Sequence, residues 1–174
     1  MPPRKFAFLA PLALLMTACV GLPEIDATQP PVAATPQFDV FAFFDGRLEG
    51  RGRLAKIASA TVPIRVDSTG HIEGDRLRLS QTIHEGDKPP RTREWVIREV
   101  APGRYTGTLT DAEGEVHGEV TGNRLRLRFT MDGGLPVDQW LTLSPDGRRA
   151  YNVMTVRKFG VPVARLAEDI RRLD

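Results

Sequence analysis

The chain reads as a mainly β protein, an antiparallel up-and-down β-barrel of about nine strands that ends in a C-terminal α-helix. Three observations predict this. First, apolar and polar residues alternate: Leu77, Leu79 and Ile83 against Arg76, Arg78 and His84, and Leu125, Leu127, Phe129 and Met131 against Arg124, Arg126 and Arg128. That period of two belongs to strands with one buried face. Second, turn pairs such as Gly74-Asp75, Pro102-Gly103, Glu113-Gly114 and Gly122-Asn123 punctuate the alternating runs at roughly ten-residue spacing, as in successive hairpins. Third, Val163, Leu166, Ile170 and Leu173 fall at helical spacing behind Pro162, with Arg171 and Arg172 where a helix C-terminus favours cations.

In chain order, the first element is a leader. Arg4 and Lys5 precede the apolar stretch Phe6 to Met16, and Cys19, the single cysteine, follows Leu15-Met16-Thr17-Ala18. Positive residues, a short apolar core and a small residue before the cut describe a secretory signal over residues 1–18. The apolar stretch falls short of the roughly 20 residues that cross a bilayer. A cysteine in that position resembles the bacterial lipobox, which implies an acylated Cys19 as the membrane contact. Val20 stands where an aspartate would resemble an inner-membrane retention signal, so the expectation is an envelope protein on the periplasmic side of the outer membrane.

Residues 19–37, with Pro23, Pro30, Pro31 and Pro36, read as an extended tether. At about 3.1 Å per residue it would reach on the order of 50 Å. Residues 38–174 read as one domain. It opens with Phe38, Phe41, Phe43 and Phe44, a short apolar plug or lead-in that stops at Asp45-Gly46. The strands follow. A meander with one apolar face buries it by closing on itself, which also removes exposed edges. The arginine-rich faces then point to water. A membrane barrel would have the opposite sidedness.

Composition narrows the function. The chain carries 24 basic and 22 acidic residues. Removal of the leader takes Arg4 and Lys5 away and leaves a formally neutral chain, unlike the basic excess of a nucleic-acid binder. No Gly-x-Ser-x-Gly elbow is present, no glycine-rich loop leads from a strand into a helix, and His71, His84 and His117 lack ligand spacing. Neither a metal nor another cofactor is expected.

The runs Phe43-Phe44-Asp45-Gly46-Arg47-Leu48-Glu49-Gly50-Arg51-Gly52, Arg93-Glu94-Trp95, Tyr105-Thr106-Gly107 with Asp111, Gly114, Gly118, Gly122-Asn123, Asn152-Val153-Met154 and Lys158-Phe159-Gly160 are similar to the DUF3833 family of proteobacterial lipoproteins. The resemblance spans nearly all of the chain after the leader. It implies a calycin-type barrel, related in shape to lipocalins, and a gene neighbourhood rich in lipid-modifying enzymes. It implies no activity. Gln81 stands where the family usually carries glutamate, and Leu48 where an aromatic residue is common.

Strand parity points Gln81, Arg93, Trp95, Tyr105 and Asp111 into the barrel. A buried charge needs a partner. Two readings follow: a polar cluster that orients the head of a bound lipid, with Arg93 gripping a carboxylate or phosphate, or an internal Arg93–Asp111 pair that closes one end. Trp95 and Trp140 either line a cavity or fill the core. The leading functional expectation is a tethered barrel that binds a fatty acyl or other apolar small molecule without catalysis. One alternative is a structural lipoprotein with a filled barrel, docking a protein partner of unknown identity through its arginine faces. Another is a lipid-modifying enzyme.

Overall fold

The structure, a computed structural model, describes residues 21–174; Cys19 and the leader lie outside the described residues. After a short helix α1 (Val40–Phe44) come ten strands: β1 (Gly46–Lys56), β2 (Val62–Glu73), β3 (Arg76–Glu85), β4 (Arg91–Ala101), β5 (Arg104–Leu109), β6 (Ala112–Thr121), β7 (Arg124–Met131), β8 (Leu135–Leu143), β9 (Arg149–Lys158) and β10 (Val161–Arg172). Each strand pairs antiparallel with its sequence neighbours. β10 pairs back onto β1, so the sheet closes into a barrel.

The expected C-terminal helix does not form. Its residues are the tenth strand, registered Leu54↔Leu166, Gly52↔Glu168 and Gly50↔Ile170 on one side and Leu166↔Met154 and Glu168↔Asn152 on the other. Pairing on both edges overrides the helical spacing. Leu166, Glu168 and Ile170 are the buried, inward series. The glutamate in that series breaks the apolar alternation and lets Val163, Leu166 and Ile170 read as a helical stripe. Pro162, with no N–H to give, sits at a shift in the β9–β10 register.

The alternating runs point as expected. Leu77, Leu79 and Ile83, and Leu125, Leu127 and Phe129, join one core cluster. The arginines between them face outward. Some sit in cross-strand pairs, Arg126 with Asp138 at 2.8 and 3.1 Å and Arg78 with Glu94 at 3.1 Å. No helix among the described residues is long and apolar enough to cross a membrane.

One mouth of the barrel is plugged. Asp39 caps α1 through Ala42 N–H at 2.9 Å. Phe38, Phe43 and Phe44 pack edge-on and stacked at 5.0–6.4 Å between ring centres. Burial of each ring stabilises the plug by about 2 kcal/mol. The Phe44 carbonyl presses on Gly70 of β2, where a Cβ would collide with it.

The segment before α1 follows the rim of that mouth. The Tyr151 hydroxyl donates to the Asp26 carbonyl at 2.9 Å, Thr142 Oγ1 donates to Gln29 Oε1 at 2.8 Å, Arg124 donates to the Pro30 carbonyl, Asn123 Oδ1 accepts from Ala33 N–H at 2.7 Å, and Phe38 N–H reaches Gly122 O at 2.8 Å. Trp140 lies outside the barrel on β8, with the Arg126 guanidinium 4.5 Å from its ring centre and Gln29 at its carbonyl.

Candidate functional site

The barrel interior is apolar except for one belt of polar side chains. Each belongs to an alternating strand, so parity alone turns it inward. On β3, Gln81 follows Leu77 and Leu79. On β4, Arg93 precedes Trp95 and Ile97. On β8, Gln139 lies between Val137 and Leu141. On β9, Asn152 lies between Ala150 and Met154. On β10, Glu168 lies between Leu166 and Ile170.

Gln81 organises one half of the belt. Its Oε1 accepts from Arg93 Nε at 2.8 Å and from Trp95 Nε1 at 2.8 Å, and its Nε2 donates to Ser68 Oγ at 3.0 Å. The guanidinium also lies 5.3 Å from the Trp95 ring centre. Two donors on one oxygen, with the amide nitrogen tied down, fix both the orientation of Gln81 and the direction of Arg93. A neutral glutamine can do this inside a barrel without the desolvation cost of a glutamate.

Glu168 anchors the other half. Asn152 Nδ2 donates to its Oε1 at 2.8 Å. Burial pushes the Glu168 carboxyl above its ordinary value of 4.5, against the opposing pull of the Asn152 hydrogen bond and the Arg93 charge. Gly50 makes room for this side chain, since a Cβ there would come within 2.9 Å of Glu168 Oε2. Three buried acceptors in the belt have no protein partner: Gln139 Oε1, Asn152 Oδ1 and Glu168 Oε2.

The expected Arg93–Asp111 pair does not form. Asp111 sits in the turn after β5 and accepts from Arg91 Nη1 at 2.9 Å. Burial pulls the Arg93 guanidinium below its ordinary value, while Asp111 and Glu168 favour its charged form from a distance. Arginine nevertheless stays protonated in proteins. Among the described residues no carboxylate lies within 4.0 Å of Arg93.

Gln81, Arg93, Gln139 and Glu168 meet at one cavity, with Trp95 and Tyr105 on its wall, Leu77, Leu127 and Ile170 around it, and Val40 and Phe44 of α1 closing the plugged side. Burial pushes the Tyr105 hydroxyl up to about 12, with Glu99 and Asp39 adding to the effect. The cavity offers about 40 Å³ to the centres of water-sized molecules. At roughly 10–15 Å³ each, that is room for about three waters.

Of the residues expected from sequence, the structure therefore brings together Gln81, Arg93, Trp95 and Tyr105 and leaves Asp111 at the rim. Sequence reasoning missed Gln139, Asn152 and Glu168. The first two carried a signal, a polar residue at an inward position of an alternating run.

Comparison with known proteins gives the fold a counterpart. The crystal structure of Rv2717c from M. tuberculosis superposes with a TM-score of 0.58 at 16% sequence identity, covering 75% of this chain and 93% of that one. At that identity the likeness is one of fold. No curated protein matches the sequence. A family model described as "Protein of unknown function (DUF3833)" matches residues 13–172, a span that takes in α1, all ten strands and every member of the polar belt, and the chain belongs to that family.

Proposed function

We propose that this protein is a lipoprotein of the bacterial envelope, held on the periplasmic face of the outer membrane through acylated Cys19, whose barrel binds a small amphiphile with an anionic head. The observation that carries the reading is Arg93: an inward-facing cation, aimed by Gln81 and Trp95, with no carboxylate within 4.0 Å among the described residues. Arg93 is half-buried, and the carboxylates that favour its charge, Asp111 and Glu168, act only from a distance. A desolvated charge without a close counter-charge is costly, and a carboxylate or phosphate on Arg93 offsets that cost. The wall around it is apolar and suits a hydrocarbon. The present cavity matches the head alone. Preformed ligand pockets are roughly 300–1,000 Å³, so a chain of any length has to displace Val40 and Phe44 of α1.

The test is native mass spectrometry of protein extracted from membranes, wild type beside Arg93→Met. A mass carried by the wild type and lost from the variant supports the reading. A wild type that carries nothing and takes up no added fatty acid sinks it.

The small volume favours a second reading, a filled barrel with a structural role in the envelope. Arg93 would then serve packing and specificity of fold, and Arg93→Met would change stability and nothing else.

A further inference from the structure

Resting on Arg93 as the anion site, we infer that the barrel selects an acid bearing a hydroxyl beside its anionic head, and that Gln139 and Glu168 are the residues that read that hydroxyl. The argument is one of unmet hydrogen bonds. Gln139 and Glu168 line the same cavity as Arg93, and Gln139 Oε1 and Glu168 Oε2 are buried without a protein partner. An unbranched fatty acid would place its carboxylate on Arg93 and bare methylenes against these two oxygens. It would leave both unpaired and dry, the costly outcome for a buried polar atom.

A hydroxyl answers both atoms at once because it donates and accepts. Gln139 Oε1 needs a donor. Burial favours the protonated form of Glu168, which then needs an acceptor, so a single hydroxyl donates its one proton to Gln139 Oε1 and accepts from the Glu168 carboxyl. Asn152 holds the carboxyl in place by its 2.8 Å bond to Oε1, leaving Oε2 as the free oxygen, and Gly50 keeps the space around it open. Gln81 Oε1 is already filled by Arg93 and Trp95, and its Nε2 donates to Ser68, so its carbonyl aims the guanidinium and has no place left for a ligand donor. The cavity's size agrees: about 40 Å³ accommodates a carboxylate with one hydroxyl and little more.

The experiment titrates the full acylated protein in detergent with hexanoate, 2-hydroxyhexanoate and 3-hydroxyhexanoate. Calorimetry and the fluorescence of Trp95, whose ring faces the cavity, follow binding. The expected result is a preference of about tenfold or more for one hydroxy acid, as for sites built around a substrate hydroxyl. That preference should fall to within about twofold in Gln139→Met and in Glu168→Leu, with hexanoate still bound. Gln139→Met keeps the volume and carries the test if Glu168→Leu does not fold. Equal binding of all three acids by the wild type overturns the inference and leaves the Arg93 reading standing. A preference that survives both substitutions overturns the assignment to these residues. Binding of none of the acids overturns the inference and the Arg93 reading together.

Discussion

Glu168 and Arg93 face one cavity from opposite walls of the barrel, and burial works on them in opposite directions. It raises the carboxyl and lowers the guanidinium. The carboxyl carries the larger consequence for stability. A group whose folded pKa lies above its unfolded value takes up protons on folding. The fold is therefore favoured in acid and loses stability as pH rises from the ordinary value of 4.5 toward the folded one, with the full penalty above it. Glu168→Gln keeps the shape and the Asn152 contact but cannot ionise. Urea melts across pH 4–8 should show the wild type losing stability relative to the variant as pH rises, with the variant the more stable at neutral pH. A variant with the wild-type slope would remove Glu168 from the account. Substitution at Gly50 acts on the same carboxyl from the other side. Gly50→Ala should cost about 1–3 kcal/mol by thermal or urea melting, as overpacking does, and less when combined with Glu168→Ala, which withdraws the atom the new methyl would strike. Strict additivity of the two changes would mean that the methyl is accommodated elsewhere.

Among the elements, α1 and the β9–β10 hairpin depart furthest from self-sufficiency. A helix of five residues has no stability of its own, so α1 exists because the phenylalanines bury and because Gly70 admits the Phe44 carbonyl. Gly70→Ala should expel the plug at a cost of about 2–4 kcal/mol, read as faster amide exchange and protease cleavage over residues 38–45. Unchanged protection there would show that the plug tolerates the methyl. The hairpin turns on Phe159-Gly160, both at positive φ, 51° and 80°. Paired positive values mark the tight hairpin turn that favours asparagine or aspartate before glycine. Phe159 is instead 94% exposed. Phe159→Asn should raise stability by about 1 kcal/mol, relieving a left-handed aromatic. A lower denaturation midpoint would overturn that view.

At the scale of the whole molecule, closure depends on one pairing between the first strand and the last. Deleting residues 161–174 leaves β1 and β9 as open edges and removes Glu168 from the belt. Size-exclusion chromatography and circular dichroism should find aggregated or unfolded protein, and a folded monomer would show that nine strands suffice. Much of the barrel was legible beforehand. The runs through Leu77–Ile83 and Leu125–Met131 are nearly pure alternations whose inward side chains are apolar. β10 was hidden because its inward series contains Glu168, and because what makes it a strand is a neighbour more than a hundred residues earlier in the chain. Two of the five belt residues were visible for the same reason: Gln81 and Arg93 interrupt recognisable strands. Glu168 lay in the segment read as a helix, and Asp111 misled because strand parity was carried into a turn.

With the proposed lipid on Cys19, the rim segment would set how the barrel stands on a membrane. Asp26 is fastened to Tyr151 near the start of β9, at the same mouth that α1 plugs. Position 19 lies seven residues upstream, and a fully extended chain of that length reaches at most about 25 Å. That is half the leash the proline-rich stretch suggested. A lipid on Cys19 would keep the plugged mouth toward the bilayer and the Phe159 turn at the far end. A hydrophobic molecule leaving the membrane would meet Phe44 and Val40 before any other part of the interior.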